Sequence, residues 1–325
     1  MLKVLILGAP SYLGNRIATL LIQTGQYFVY GIARSPAIAK RLAAQEITPV
    51  ACEDPANDPE PYLALIRDEH IDVVLDVAGK DDVSWKFFRN VARIGRERQL
   101  PQQGFGMKSA KLGFIYCSKT WVHGSSYMPV NELDLVHMDT NITGDEIMAQ
   151  QIDMEKAVLE ETRDLDVMIL RPALLYGGEG ELWARLFRPV FEAIGDESNS
   201  IVPIPLDANC RPGFVHVDDA AKAFVKAVEK LPLISGTSVF PVFDLVTSQE
   251  SMREIFDTLA SYLGVEGRVQ LIGHGDNLFY KAMSSNFRAS SARAKQLLGW
   301  EPTRLNGFVQ DMDIFASAIE AKFSE

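Results

Sequence analysis

The chain has 325 residues, of which 47% are hydrophobic and 23% charged, with a formal charge of −11. This length suits about two folded units, and the composition excludes a disordered chain, a collagen-like chain and a disulfide scaffold. The acidic balance argues against a general electrostatic grip on nucleic acid or on an anionic membrane.

Residues 4–7 read as a short buried strand, with Gly8 directly after it. Apolar positions at Ile17, Leu20, Leu21 and Ile22 predict a helix over 15–24 that stops at Gly25. A strand over 27–32, an Ala-rich helix over 36–45, a strand over 47–51, a helix over 62–69 and a strand over 71–77 follow. A long helix over 84–99, a strand over 112–117, a second long helix over 145–163 and a strand over 167–170 extend the alternation. Strands that are continuous apolar runs are buried on both faces, and right-handed crossovers wind them into one sheet. The expected fold class is α/β, a Rossmann-type doubly wound parallel sheet with a smaller C-terminal substrate-binding lid. Residues 1–175 plus 213–248 are assigned to the sheet domain, and 176–212 plus 249–325 to the lid subdomain. Between 176 and 212 the chain is rich in Gly, Pro and aromatic residues, and no strand–helix pair is evident. Beyond it, helices are expected within 215–230 and over 251–263, 290–299 and 307–323, with a strand over 239–246. Residues 101–109 read as a surface loop.

Cys52, Cys117 and Cys210 are odd in number, far apart and without metal-ligand spacing. They read as buried thiols in a reducing compartment, and no metal is expected. No apolar run approaches the ~20 residues needed to span a bilayer. The apolar N-terminal stretch ends early in Gly-Ala-Pro and lacks the core of a secretory leader. The expectation is a cytoplasmic protein with no membrane partner. Lys86, Arg89, Arg93, Arg96 and Arg98 have mostly helical spacing, which suits a solvated helix face rather than a nucleic-acid site.

Gly8-Ala9-Pro10-Ser11-Tyr12-Leu13-Gly14 joins the first strand to the first helix. In dinucleotide-binding folds, glycines in this turn allow the tight bend, the approach of a pyrophosphate and close helix–strand packing. The helix N-terminus then meets the phosphate charge. The second strand ends at Ala33-Arg34-Ser35. An acid there would hold ribose hydroxyls, whereas an arginine suits a 2′-phosphate, so NADP is preferred over NAD. The plain alternative is an exposed strand-end arginine. Glu53 and Asp54 follow the third strand toward the adenine, and Val77, Ala78 and Gly79 follow the fourth.

The turn resembles the GxxGxxG of the extended short-chain dehydrogenase/reductase family, the NAD-dependent epimerases and dehydratases. Gly8 and Gly14 match, Ser11 takes the middle position, and Pro10 removes one N–H. Asp76 stands where the family has the His of H-x-A-[AG]. FIYCSKTWVHG (114–124) is similar to the segment ending S-S-[ST]-x-x-V-Y-G, and Glu132 fits the acid after it. LDVMILRPALLYGG (165–178) is similar to L-x-x-x-x-L-R-P-x-x-V-Y-G, and RPGFVHVDDAAKAF (211–224) to F-V-x-V-D-D-V-A-x-A. SSARAKQLLGWEP (290–302) is similar to S-x-x-x-A-x-x-x-L-G-W-x-P, so the likeness runs almost end to end. It implies an NAD(P) site with Ser118, Gln151 and Pro172 beside the nicotinamide.

The family's chemistry uses a Ser/Thr, a Tyr and a Lys, the last two in Y-x-x-x-K. Counting back from Gly124 puts Lys119 at the Ser/Thr position. Taking Glu155 as the acid that follows the lysine puts Gln151 at the Lys position and Ile147 at the Tyr position. No Y-x-x-x-K occurs between 125 and 165. Isoleucine cannot donate a proton, and glutamine supplies no positive charge. Lys119, next to Trp121, is the replacement candidate, as a general acid or oxyanion stabiliser. The plant enone-reductase branch of the family also uses a lysine near this point, and VYGIARSP (29–36) resembles its NADP segment, although its N-F-Y-Y motif is absent. His123 is a second proton-donor candidate. A solvated lysine and a packed histidine are the plain alternatives. Tyr176 is a candidate pocket phenol and His216 a structural histidine. Trp183, Phe187, Phe191, His274 and Phe279 are candidate pocket residues, with core packing an equal explanation for the aromatic ones.

The resulting expectation is an NADP-dependent reductase of a carbonyl or activated alkene on a small molecule, with a non-standard catalytic set. The alternatives are a non-redox enzyme on the same scaffold and a catalytically inactive NADP-binding regulator. A homodimer through the helices near 84–99 and 145–163 is expected, and no nucleic-acid partner.

Overall fold

Seven apolar runs line up as one parallel sheet in the computed structural model, which describes residues 1–79, 81–100, 109–126, 128–134, 145–178, 180–195, 201–265 and 267–323. The strands are β1 (Leu2–Leu7), β2 (Tyr27–Ala33), β3 (Thr48–Ala51), β4 (Val73–Asp76), β5 (Leu112–Cys117), β6 (Leu165–Pro172) and β7 (Val242–Leu245). Their order is β3-β2-β1-β4-β5-β6-β7, and every neighbouring pair is parallel. Val4, Leu5 and Ile6 are all buried because helices cover both faces. The surface loop expected at 101–109 falls, up to 108, outside the described residues.

The helices of the sheet domain are α1 (Tyr12–Gln23), α2 (Pro36–Ala43), α3 (Glu60–Asp68), α4 (Asp81–Gln99) and α5 (Asp145–Glu160). Two more are α6 (Glu181–Glu192) and α7 (Val217–Ile234). α1 and α7 share one core with β1, β2 and β4. Ala220, Ala221, Ala223 and Ala227 are fully buried in α7, and their small side chains bring it close to the sheet. Residues from α3, α4 and α5 fill the core on the opposite face. The chain order reverses between β1 and β4. In open α/β sheets that reversal opens a crevice beyond the carboxyl ends of the strands, where ligands bind.

The basic run on α4 is a solvated face, with Lys86, Arg89, Arg93 and Arg96 exposed and only Arg98 half-buried. Arg98 donates to the carbonyls of Ile66 and Ile71 at 2.8 Å each, Arg96 pairs with Glu161 at 2.7 Å, and Lys86 reaches Asn57 at 2.8 Å.

α6 and a strand at Ile201–Ile204 lie in the stretch where the sequence reading expects no strand–helix pair. Trp183, Leu186, Phe187 and Val190 are buried and follow an i, i+3, i+4, i+7 rhythm. Pro189 inside the helix and the glycines before it hide that rhythm. Around α6 a second core gathers Tyr176, Trp183, Phe187, Phe214, Phe256, Phe308 and Phe315. A three-stranded sheet of Leu174–Tyr176, Gly213–His216 and Ser248–Gln249 borders it. The helix expected over 290–299 is a short turn at Ala294–Leu298, closed by left-handed Gly299. The last helix breaks at Asp311 into Gly307–Gln310 and Met312–Phe323.

The C-terminal segment is tied down by buried Asp219. Its carboxylate accepts from the backbone of Thr303 at 2.9 Å, the backbone of Arg304 at 2.7 Å and Lys222 Nζ at 3.0 Å. Burial opposes the charge, but the bonds from Arg304, Lys222 and Thr303 outweigh it and hold the carboxyl below its usual range. Such a group stabilises the fold above the unfolded carboxyl range near ~3.9, and that stabilisation is lost as the pH falls through the lower folded value. Asp219→Asn is expected to lose about 1–3 kcal/mol at neutral pH. In urea unfolding, the variant's stability is expected to vary less than wild type below about pH 4.

Among the described residues no helix is long and apolar enough to cross a membrane, and no cluster of His, Cys, Asp or Glu could hold a metal. The three cysteines are free thiols.

Candidate functional site

The loops after β1, β2, β4 and β5 meet at the carboxyl edge of the sheet. Gly8 has φ +90°, and a Cβ on it would lie 2.8 Å from the Ala78 nitrogen. A Cβ on Gly14 would lie 2.1 Å from the Gly8 carbonyl oxygen. Backbone contact alone therefore requires both glycines. Ser11 is the extended N-cap of α1, and its Oγ accepts from the Gly14 N–H at 3.1 Å. That N–H is thereby occupied. The amides of Tyr12 and Leu13 begin the helix, where no intrahelical carbonyl reaches them. With the positive end of the helix dipole they form anion-binding geometry. The Tyr12 hydroxyl donates to the Gly177 carbonyl and ties this turn to the loop after Leu174–Tyr176. Burial raises its pKa.

Arg34 is exposed at the end of β2, and its Nε donates to the Glu53 carbonyl at 3.2 Å. A second arginine escaped the sequence reading. Arg41, on α2, donates from Nη2 to the Pro10 carbonyl at 2.8 Å, which places it against the first turn. Arg34 precedes the N-cap of α2, so no helical spacing links the two arginines and the sequence carries no signal for Arg41. Asp54 spends its carboxylate on its own turn, accepting from the amides of Ala56 and Asn57 and from the Asn57 side chain. The Asn57 side-chain bond chiefly lowers its pKa. Val77 is buried, Ala78 half-buried, and exposed Gly79 has φ +64°. Buried Asp76 accepts from the Ala78 amide at 3.1 Å.

A chain of buried polar groups runs from the end of β5. Ser118 donates to Glu155. Glu155 also receives Arg171 through Nε at 2.9 Å and Nη2 at 2.5 Å. Arg171 Nη1 lies 3.9 Å from Asp244 Oδ1, and Asp244 Oδ2 lies 2.7 Å from His123 Nε2. The Asp244 amide donates to Glu132 at 2.8 Å, and burial pushes the Glu132 carboxyl up. The His123 side chain is 2% exposed and engaged by Asp244, so it braces the turn in which it sits.

Gln151 donates to the Tyr116 hydroxyl, and both side chains are buried. The side chain of Ile147 is outside the described residues. Pro172 is buried at the end of β6. Lys119 is different. It precedes the 3-10 turn Thr120–His123 in extended conformation, is half-exposed, and makes no ion pair among the described residues. Burial pushes the neighbouring Cys117 thiol up to about 12, with Lys119 acting in the opposite direction.

Most of the proposed pocket aromatics belong elsewhere. Trp183 and Phe187 lie in the second core, Phe191 pairs with Phe323 at 5.1 Å, and His274 hydrogen-bonds through its amide to Asp207. Tyr176 is a core phenol rather than an open one, packed against Phe214, His216, Phe308 and Phe315. His216 accepts from the Asp218 amide at 3.2 Å and caps α7. Phe279 alone of the five meets the Lys119 segment, through Trp121 at 5.8 Å.

Solved structures share this fold. dTDP-glucose 4,6-dehydratase from Bacillus anthracis, in complex with NAD, is 13% identical with a TM-score of 0.73, covering 100% of this chain and 98% of its own. UDP-glucuronic acid 4-epimerase from Bacillus cereus, in complex with UDP-glucuronic acid and NAD, is 17% identical with a TM-score of 0.69, covering 99% of this chain and 100% of its own. UDP-glucose 4-epimerase from Bifidobacterium longum, in complex with NAD+ and UDP, is 15% identical with a TM-score of 0.71, covering 98% of each chain. No family model matches the sequence, and no curated protein matches it. The likeness establishes the fold, which is that of the NAD-dependent epimerases and dehydratases of the extended short-chain dehydrogenase/reductase family.

Proposed function

We propose that this chain is an atypical extended short-chain dehydrogenase/reductase that binds NADP in preference to NAD and reduces a carbonyl or activated alkene on a small molecule. The observation that carries the reading is the first turn, where two glycines required by backbone contact leave the Tyr12 and Leu13 amides at the start of α1. Those residues fit a pyrophosphate. Ser11 narrows the cradle relative to a glycine but also caps the helix. Arg34, beside the Glu53 carbonyl, and Arg41, beside the Pro10 carbonyl, would flank the adenosine end and suit a 2′-phosphate. Val77, Ala78 and Gly79 would lie along the middle of the cofactor, with Ser118 and Pro172 at its far end.

A bound nicotinamide dinucleotide supplies a hydride donor or acceptor. Lys119 then serves the substrate oxygen. As a cation without an ion-pair partner among the described residues, it stabilises developing negative charge there and can donate a proton. The buried line from Ser118 to His123 holds the turn that carries Lys119.

Replacing Lys119 separates binding from chemistry. Lys119→Met is expected to leave NADPH affinity unchanged and to lower NADPH consumption at least ~100-fold on whichever carbonyl or enone the wild type reduces. Unchanged turnover would remove Lys119 from the mechanism. One observation favours a second reading, that of an inactive NADP-binding regulator. Gln151, at the position of the family lysine, is engaged by Tyr116 inside the protein. That reading expects NADPH binding with no turnover on any substrate. The structural likeness to epimerases and dehydratases keeps a non-redox enzyme as the remaining alternative.

A further inference from the structure

We infer that the substrate half of the site takes a compact planar ring that carries a carboxylate; the inference rests on the proposed function and names its substrate class. Two residues beyond Lys119, half-buried Trp121 meets Phe279 edge-on, with ring centroids 5.8 Å apart and planes at 77°. Phe279 opens the short helix Leu278–Met283 and is held there by Asn277 Oδ1, which accepts from the Phe279 and Tyr280 amides at 3.0 and 3.1 Å. The guanidinium carbon of Arg185 stands 5.5 Å from the centre of the Phe279 ring.

Arg185 is exposed because α6 turns Trp183, Leu186 and Phe187 into the second core. Among the described residues Arg185 pairs with no carboxylate, and neither does Lys119, in a chain with 43 acidic and 32 basic side chains. Arg185 carries its charge beside the Phe279 ring of this aromatic pair, where an anion from outside would meet it. The wall is preformed. The Ser126 amide donates to the Asn286 carbonyl at 2.6 Å, and the Asn286 amide donates to Ser125 Oγ at 3.1 Å, so the segment after Trp121 is fixed to the segment after Phe279.

This wall matches one kind of molecule. Aromatic side chains present a face or an edge to a planar ring. A guanidinium already resting on a ring binds a carboxylate in its own plane through two N–H groups. Lys119 is then left for the reacting oxygen.

The test uses 4-formylbenzoate, which combines ring, carboxylate and carbonyl, titrated calorimetrically into the full chain without nucleotide. NADPH binding is measured on the same preparation. Saturable binding is expected, weakened at least ~10-fold in Arg185→Gln and in Phe279→Leu. Cyclohexanecarboxylate, which keeps the charge and loses the planar ring, is expected to bind at least ~10-fold more weakly. Arg185 is exposed, so folding does not depend on it. No saturable binding up to about 5 mM, or equal affinity in wild type and Arg185→Gln, overturns the inference. If NADPH binds and 4-formylbenzoate does not, the substrate class fails and the dinucleotide reading stands. If 4-formylbenzoate binds with the expected losses and NADPH does not, the dinucleotide reading fails and the ring-and-carboxylate site stands.

Discussion

Glu155→Ala is expected to lose about 3–5 kcal/mol of folding stability, measured by urea unfolding at neutral pH. Glu155 and Arg171 are both buried and meet through two bonds, and Ser118 donates to the same carboxylate. Removing the carboxylate leaves the guanidinium out of water with no direct charged hydrogen-bond partner, the Asp244 carboxylate standing 3.9 Å from Nη1. A charge stranded in this way costs far more than the pair itself contributes. The double variant Glu155→Met/Arg171→Met removes both charges and is therefore expected to be the more stable of the two. A loss under about 1 kcal/mol in Glu155→Ala would mean that the pair does not organise the end of β5.

Gly14→Ala is the second large effect. The added Cβ would sit 2.1 Å from the Gly8 carbonyl oxygen, which is backbone and cannot swing aside. The turn must open, at a cost of about 3 kcal/mol. NADPH binding is expected to weaken with it, because the Tyr12 and Leu13 amides move with the turn. Gly25→Ala is the control. Gly25 has φ +68° but open space around it, so only backbone strain of about 1 kcal/mol is expected, with no change in nucleotide affinity. Thermal unfolding and a nucleotide titration on both variants distinguish a local defect from a general one.

The sheet was legible in the sequence for a physical reason. A strand covered on both faces has no polar side to show, so Leu112–Cys117 stands out as an apolar run between turns. The first turn was legible because its glycines sit at fixed distances from a strand end. α6 was not, because Pro189 and the glycines before it read as loop, although its buried face keeps helical rhythm. Long-range pairing was also hidden. His123 and Asp244 are 121 positions apart, and no local pattern joins them. The sequence therefore left His123 open as a proton donor, whereas the fold shuts its side chain against a buried carboxylate. Trp183, Phe187 and Tyr176 were ambiguous for a similar reason. An aromatic residue on a helix or strand has the same spacing whether it lines a pocket or a core, and only the packing of α6 against the C-terminal helices assigns these three to the core. Arg41 was missed because its partner is a backbone carbonyl, which leaves no mark in side-chain pattern.

The most direct test of the account is a titration of the purified chain with NADPH and with NADH, followed by protein fluorescence. NADPH is expected to bind at least ~10-fold more tightly, and Arg34→Ala is expected to remove the difference. Binding of neither nucleotide, or tighter binding of NADH, would contradict it.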